Sequence, residues 1–369
     1  MDAPIQQWPA EVTIERMGAY ASVGEKERAG AGTKLVEYAK FAGRTRALIK
    51  QIQPAIVYAY DPYAFVASLL GMIGGRSTPL IFHLHELWDT DGLRWDSLQK
   101  WVVKAALTGT KSADAVVFPE KYRSRYWLRA AGDLRAPIIV PNCADADYFA
   151  EPADWNATIA RRYRAREVVY VGNTGVVNGH FEALRAIAMA GHESGISLRV
   201  IGSFHPEFEA SFKALARELG ITERVRLDGW MTRDEVIARS SASSVGLSLY
   251  KPVTKNLDYM GSASNKLFEY AAMGLPVVVP DRASYRDFLG DAEWVTYADV
   301  EDPKSIARAI TSIFADRERY VAMSRAARRA FEEHYSYERV FAPALDRIFE
   351  LSGVANSKRA EARNLAEAS

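Results

Sequence analysis

Ser264-Asn265-Lys266-Leu267-Phe268-Glu269-Tyr270-Ala271-Ala272-Met273-Gly274-Leu275-Pro276-Val277-Val278-Val279-Pro280-Asp281 decides how this chain is read. Its first part has the composition of a helix of roughly three turns. Gly274 supplies a stop, Pro276 blocks continuation, and Val277 to Val279 read as a buried strand. A helix running straight into an apolar strand is the unit of a parallel sheet. Glu269 is a lone carboxylate among Leu267, Phe268, Tyr270, Ala271 and Ala272, with Lys266 one turn earlier on the same face. The pair is either an exposed i,i+3 contact on a wet face or a ligand-binding pair. A carboxylate in a mostly buried helix needs partners, which favours the second reading. Ser264, Asn265 and Lys266 at the helix start suit a phosphate.

The same alternation extends toward the N-terminus. Val168 to Gly172, Leu198 to Gly202, Val225 to Gly229 and Val245 to Leu249 read as strands, and several end in glycine before a loop. An earlier series comprises Ala55 to Tyr60, Leu80 to His85, Ala115 to Phe118 and Ile138 to Val140, with helical patterns such as Lys34 to Ile52 between them. Polar Glu151 to Arg166 lacks a strand pattern and reads as a connection between the two series. After Pro303 the pattern is helical: Lys304 to Phe314, Arg317 to His334 and Tyr337 to Leu351. The expected fold is α/β, with two Rossmann-like domains facing a cleft, residues 1–155 and 165–336, then a helix over 337–352. Residues 353–369 are small and charged, a composition expected to be disordered. The start is unusual. Met1 to Glu11 is polar and Pro-bearing, and Val12-Thr13-Ile14 is the first stretch that could pair, so the first domain reads as shortened.

Composition narrows the function classes. The chain has 369 residues with 47 basic against 46 acidic, which gives no nucleic-acid or acidic-partner signal. Cys143 is the single cysteine, so neither an intramolecular disulfide nor a cysteine zinc site is available. No apolar run reaches roughly 18 residues and no signal-peptide pattern opens the chain. The expected setting is the cytoplasm, at most at the inner face of a membrane.

Four further constellations carry chemistry. His83-Leu84-His85-Glu86 ends a strand, so its two histidines share a side near any cleft. They could chelate a metal, His85 could aim a ring nitrogen at a substrate, or both could simply be satisfied by hydrogen bonds. Asp89-Thr90-Asp91 and Asp145-Ala146-Asp147 match a metal–diphosphate tripeptide, but read better as turn or cap residues. Gly172-Asn173-Thr174-Gly175, running to Gly179, could lay backbone amides on a phosphate ahead of the helix from Phe181. It lacks GxGxxG and the P-loop lysine, and on the motif alone a plain strand–helix turn is the better reading. From Trp95 to Trp127, aromatic and basic residues interleave, including Trp101, Lys104, Lys111, Arg123 and Arg125. That is a peripheral membrane surface or, more simply, side chains snorkelling over a core.

Taken together, these features resemble the GT-B-fold retaining glycosyltransferases of glycosyltransferase family four, over about residues 50 to 350. Ile52-Gln53-Pro54-Ala55-Ile56-Val57-Tyr58 is similar to that family's KPDVVH strand, and His85-Glu86 to its HE or HD. Val140-Pro141-Asn142-Cys143-Ala144-Asp145 with Phe149 resembles IPNGVD…F, and Tyr170-Val171-Gly172 resembles the start of its donor domain. Val225 to Trp230 with Asp234-Glu235-Val236 resembles V.FLG…EEL, and Lys266 to Val279 resembles KLFEYMAAGLPVV.

The resemblance implies a nucleoside-diphosphate sugar as co-substrate and no other cofactor. Glu269 would bind its ribose, while Lys266, Ser264, Asn265 and the Gly172-Asn173 turn would hold its diphosphate. Trp230 and Met231 would line the base, and His85 would be the catalytic-side residue touching the transferred sugar or the acceptor. It further implies no metal, a glycan, lipid-linked or small-molecule acceptor, and a last helix crossing back onto the first domain. A nucleotide-sugar-binding protein without transfer activity is the alternative, and a metal hydrolase using His83 and His85 is a more distant one. Three departures stand out. Gly261 occupies the position, eight before Glu269, where the family often has a second glutamate; its post-strand Arg and Lys fall on Asn173 and Asn178; and the opening strand with its glycine loop has no counterpart.

Overall fold

The computed structural model describes residues 12–15, 29–75, 78–88, 97–172 and 175–353. Two parallel sheets organise the described residues. Val57–Tyr60 (β1), Leu80–His83 (β2), Ala115–Phe118 (β3) and Ile138–Ile139 (β4) form the first, in the order β1-β2-β3-β4. The second sheet comprises Glu167–Val171 (β5), Ser197–Ile201 (β6), Val225–Gly229 (β7), Val245–Leu247 (β8), Val277–Pro280 (β9) and Val295–Ala298 (β10). Its order is β10-β9-β8-β5-β6-β7, so the winding reverses between β5 and β8. At such a switch point the crossovers diverge to opposite faces and leave a crevice at the carboxyl ends of the strands.

Alternation along each strand builds two apolar layers per sheet. Val168 and Tyr170 of β5 face one core with Leu198 and Val200, while Val169 faces another with Leu267, Phe268 and Ala271. Fully burying each Val or Leu contributes roughly 1.5–3 kcal/mol, and a one-residue slip would reverse every assignment, so register is strongly fixed. In the first sheet, Leu80, Phe82, Val116 and Phe118 pack with Phe65, Val103 and Trp127. The opposite face, with Ile81 and Val117, is covered by Ala344, Val340, Phe341 and Ile348 of the helix Tyr337–Ser352. The last helix therefore lies on the first sheet.

The structure departs from the sequence expectations in three places. The polar connection Glu151 to Arg166 contains a helix, Trp155–Ala165, capped by Asp154 accepting from Ala157 N at 2.9 Å. Its Ile159 is buried, and Arg162 is buried because its guanidinium donates to Ser241 O at 2.7 Å and Met273 O at 2.8 Å. Residues 12–15 are exposed and form no strand. β10 went unanticipated because only Ala298 of its four residues is buried. The tail beyond Gly353 lies outside the described residues. Among the described residues, no helix is long and apolar enough to cross a membrane.

Candidate functional site

The helix Asn265–Ala272 has eight residues, about two turns rather than three. Gly274 ends it at φ 67°, with Leu275 N donating to Tyr270 O at 2.9 Å and Gly274 N to Ala271 O at 2.8 Å. That pair of bonds is a Schellman stop, and it needs a residue at ease in the left-handed region. The Tyr270 hydroxyl accepts from Val171 N at 2.9 Å, fastening the helix to the end of β5. Gly246 in β8 makes room: a Cβ there would lie 2.3 Å from the Tyr270 ring.

This places Lys266 at the switch point. Its Nζ donates to Tyr170 Oη at 2.6 Å and sits over the Tyr170 and Tyr250 rings at 3.9 and 4.5 Å from their centroids. Only 8% of the residue is exposed. Burial works against the ammonium, but Tyr170 and Tyr250 outweigh it and hold Lys266 above the usual lysine range. No carboxylate pairs with it among the described residues. Gly172, at φ 130°, turns the chain directly beside it, and a Cβ there would meet Nζ at 3.3 Å.

Glu269, one turn on, is half-buried and pairs with Arg233 Nη1 at 3.2 Å. Arg233 also lies over the Tyr148 ring, 4.4 Å from its centroid. It opens the helix Arg233–Ser241, whose start is fixed by a capping box between Thr232 and Glu235. Trp230, 67% exposed, and half-buried Met231 occupy the loop just before it. The structure thus gathers Glu269 with the Trp230–Arg233 loop. Ser264 is buried, with its hydroxyl 3.3 Å from that of Ser248, and Asn265 is exposed at the helix start. Asn173 lies outside the described residues. Beyond it, Gly179 at φ 69° passes so close to Leu249 that a Cβ would lie 2.7 Å from its carbonyl oxygen. His180 then starts the next helix, with Nδ1 3.2 Å from Gly175 O. Burial and the nearby Lys266 ammonium push its pKa down to about 3, so the ring is neutral.

Across the cleft, His85 follows β2. Its Nδ1 is 2.6 Å from Tyr60 Oη, and its backbone N donates to Asp61 Oδ1 at 3.0 Å. Asp61 is held at φ 64°. Buried His83 has Nδ1 2.8 Å from Tyr58 Oη, and burial with neighbouring His85 lowers its pKa to about 4. Both rings pack on Tyr60, at 4.6 and 5.5 Å between centroids, so they share a side as the period of two requires. Among the described residues no group of three or more His, Cys, Asp or Glu is gathered to hold a metal ion. Asp145 is a cap, accepting from Asp147 N at 3.0 Å, and Asp89 and Asp91 lie outside the described residues.

Residues 181–346 match the family model described as glycosyl transferase-like, and residues 22–148 match that of glycosyltransferase family 4. The chain is a family-four-type glycosyltransferase of the GT-B fold. A GDP-mannose-dependent α-(1-6)-phosphatidylinositol monomannoside mannosyltransferase of Mycobacterium tuberculosis is 23% identical over 309 residues, 82% of this chain and 78% of the relative. Among solved structures, a Rickettsia africae glycosyltransferase aligns with a TM-score of 0.68 at 14% identity, covering 87% of this chain and 83% of that one. Sucrose-phosphate synthase from Thermosynechococcus elongatus gives 0.67 at 15% identity over 86% and 79%. Anabaena HepE in complex with UDP-glucose gives 0.65 at 14% over 86% and 82%. These likenesses establish the fold.

Within this glycosyltransferase, the departure at Gly261 has a steric cause. A Cβ at 261 would lie 2.2 Å from Ser284 O and 2.8 Å from Ser284 C. Backbone fills the space a glutamate would need. Nearby, Asp258 pairs with Lys255 at 3.6 Å, and Ser262 is buried. The Trp95 to Trp127 stretch is not one surface. Trp101 is 58% exposed with Lys104 5.9 Å from its ring, but Trp127 and Arg123 are interior. Sequence spacing missed Tyr250, Arg233 and the contact of Tyr170 with Lys266; the three residues come from the segment after β8, another helix and β5. The available signal was position: Tyr170 sits at the end of β5, and Arg233 follows the loop that Trp230 marks.

Proposed function

We propose that the chain transfers a sugar from a nucleoside-diphosphate sugar, with retention and without a metal ion, to a glycan, lipid-linked or small-molecule acceptor. The observation that supports this most is Lys266, a buried ammonium between two tyrosine rings, without a carboxylate partner among the described residues and one turn from Glu269. A diphosphate is the counter-charge such a group favours. A ribose diol brings two donors to Glu269 and would displace Arg233 from it. In front-face transfer the bond from the anomeric carbon to the phosphate oxygen breaks as the acceptor oxygen bonds the same face. The acceptor proton passes to the departing diphosphate. Lys266 and the amides opening the helices at Asn265 and His180 would stabilise that developing charge. His85, its Nδ1 occupied by Tyr60, would offer Nε2 to a sugar hydroxyl. Cytoplasmic residence, with inner-membrane contact for a lipid-linked acceptor, belongs to the same proposal.

GDP-mannose and UDP-glucose, named with two of the relatives, are the first donors to test. Calorimetry with GDP and UDP should show Glu269→Ala losing about 100-fold in affinity, since two hydrogen bonds to a charged group are worth roughly 3 kcal/mol. The melting temperature should hold. Unchanged affinity removes the ribose assignment. Nucleotide binding without turnover would instead favour a binding protein, and activity abolished by a chelator would favour a metal enzyme. The anomeric configuration of the product, read by NMR, checks retention.

A further inference from the structure

Arg123 is the third residue of the helix Lys121–Ala131, which follows β3 of the first sheet, and only 1% of it is exposed. Its guanidinium reaches both halves of the molecule. Nη1 donates to His85 O at 2.8 Å, Nε to Tyr259 O at 2.9 Å, and Nη2 to Asn256 O at 2.9 Å; Nη2 also lies 2.7 Å from Met260 Sδ. Among the described residues, Glu86 is the carboxylate within ion-pair distance, 3.9 Å away. Burial pulls the guanidinium below the ordinary arginine range, yet arginine stays charged in proteins. Such a charge is stable out of water only because carbonyls meet its N–H groups, and only a rigid fork points at three carbonyls together.

Neighbouring contacts stitch the same two segments together. Asn256 accepts from Leu87 N at 2.8 Å and donates to Glu86 Oε2 at 2.6 Å. Further along, Ser262 Oγ donates to Pro119 O at 2.7 Å, and Asn142 donates from N to Ser262 O at 2.9 Å and from Nδ2 to Ala263 O at 2.8 Å. Residues 256–263, which lead into the helix carrying Lys266 and Glu269, are thus fastened along their length to the sheet that carries His85.

We propose that Arg123 is a positioning residue of the transfer reaction, setting His85 at its working distance from the donor held by Lys266 and Glu269. This rests on the roles proposed above for those three residues. A misplacement of about 1 Å between reacting groups can cost on the order of 100-fold in rate, so a fork that fixes the spacing acts on turnover before it acts on binding.

The test uses the full chain and whichever of GDP or UDP binds the wild type. Nucleotide affinity is followed by calorimetry, and nucleoside-diphosphate release from the matching GDP-mannose or UDP-glucose gives turnover. Arg123→Lys keeps the charge and loses the fork. It should bind the nucleoside diphosphate within about 3-fold of wild type while kcat falls by on the order of 100-fold at similar KM. Asn256→Asp keeps the acceptor for Leu87 N and loses the donor to Glu86, and should show the same split at about 10-fold. It provides the reading if Arg123→Lys does not fold. Wild-type kcat in the folded variants, or a loss of kcat matched by an equal loss of nucleotide affinity, overturns the inference while leaving the proposed function standing. A wild type that neither binds nor turns over any donor overturns both.

Discussion

Each sheet places the same device at a strand end, a tyrosine hydroxyl 2.6 Å from a nitrogen: Tyr60 with His85 in the first sheet, Tyr170 with Lys266 in the second. Their surroundings differ sharply. Tyr60 is 46% exposed and Tyr170 1%. The cause is topological. Among the described residues β1, which ends in Tyr60, is an edge strand of the first sheet. The second reverses between β5 and β8, and the diverging chain encloses what lies there. A hydrogen bond in a low-dielectric enclosure is stronger, and its loss costs more, than the same bond beside water. An enclosed site suits the invariant part of a substrate, and an open one suits a part that varies.

The largest expected effect lies on the enclosed side. Lys266→Met, which keeps much of the packing, should lower GDP or UDP affinity by about 100-fold or more in calorimetry, as a charge-assisted contact in a dry site disappears. Retained affinity would break the comparison at its stronger end. The next effect separates the halves by pH. His83 and His180 are neutral when folded, with pKa values lowered to about 4 and about 3. As pH falls below about 6.5 the unfolded chain takes up protons that the folded one refuses, so stability drops with falling pH. His83 should contribute about 3 kcal/mol of this loss between pH 6.5 and 4, and His180 should go on losing toward pH 3. Urea midpoints across that range should flatten in His83→Gln and in His180→Gln; unaltered slopes would show that neither ring is held neutral. Gly261→Ala forces a Cβ onto the Ser284 carbonyl and should cost about 2 kcal/mol in the same measurement. Smallest is the open side. Tyr60→Phe should reduce kcat/KM by about 5-fold, one modest hydrogen bond, whereas Tyr170→Phe should cost more and also lower the melting temperature. The reverse ranking would show that exposure does not govern the two devices.

Strands β1 to β9 and the Lys266–Glu269 helix were legible because their signals are local. Val277 to Val279 form an unbroken apolar run, and Gly274 and Pro276 mark a boundary by backbone chemistry alone. What stayed hidden depends on residues distant in sequence. Arg233 meets Glu269 from another helix, and the tyrosines around Lys266 come from β5 and from the segment after β8. Gly261 reads as a missing glutamate until Ser284, 23 residues later, is seen to fill the space. The helix Trp155–Ala165 looked like a polar connection because Arg162 satisfies its charge on carbonyls that no local pattern reveals.

The helix Tyr337–Ser352 has a consequence for synthesis. The first sheet is translated early, but Ile81 and Val117 stay uncovered until Ala344 and its neighbours leave the ribosome. The part of the molecule made first is finished last. A nascent chain must carry that open apolar face through the making of the whole second sheet, when such surfaces are prone to misassembly. A premature stop between residues 337 and 352 would therefore do its damage some 200 residues upstream, in a sheet whose own coding sequence was intact.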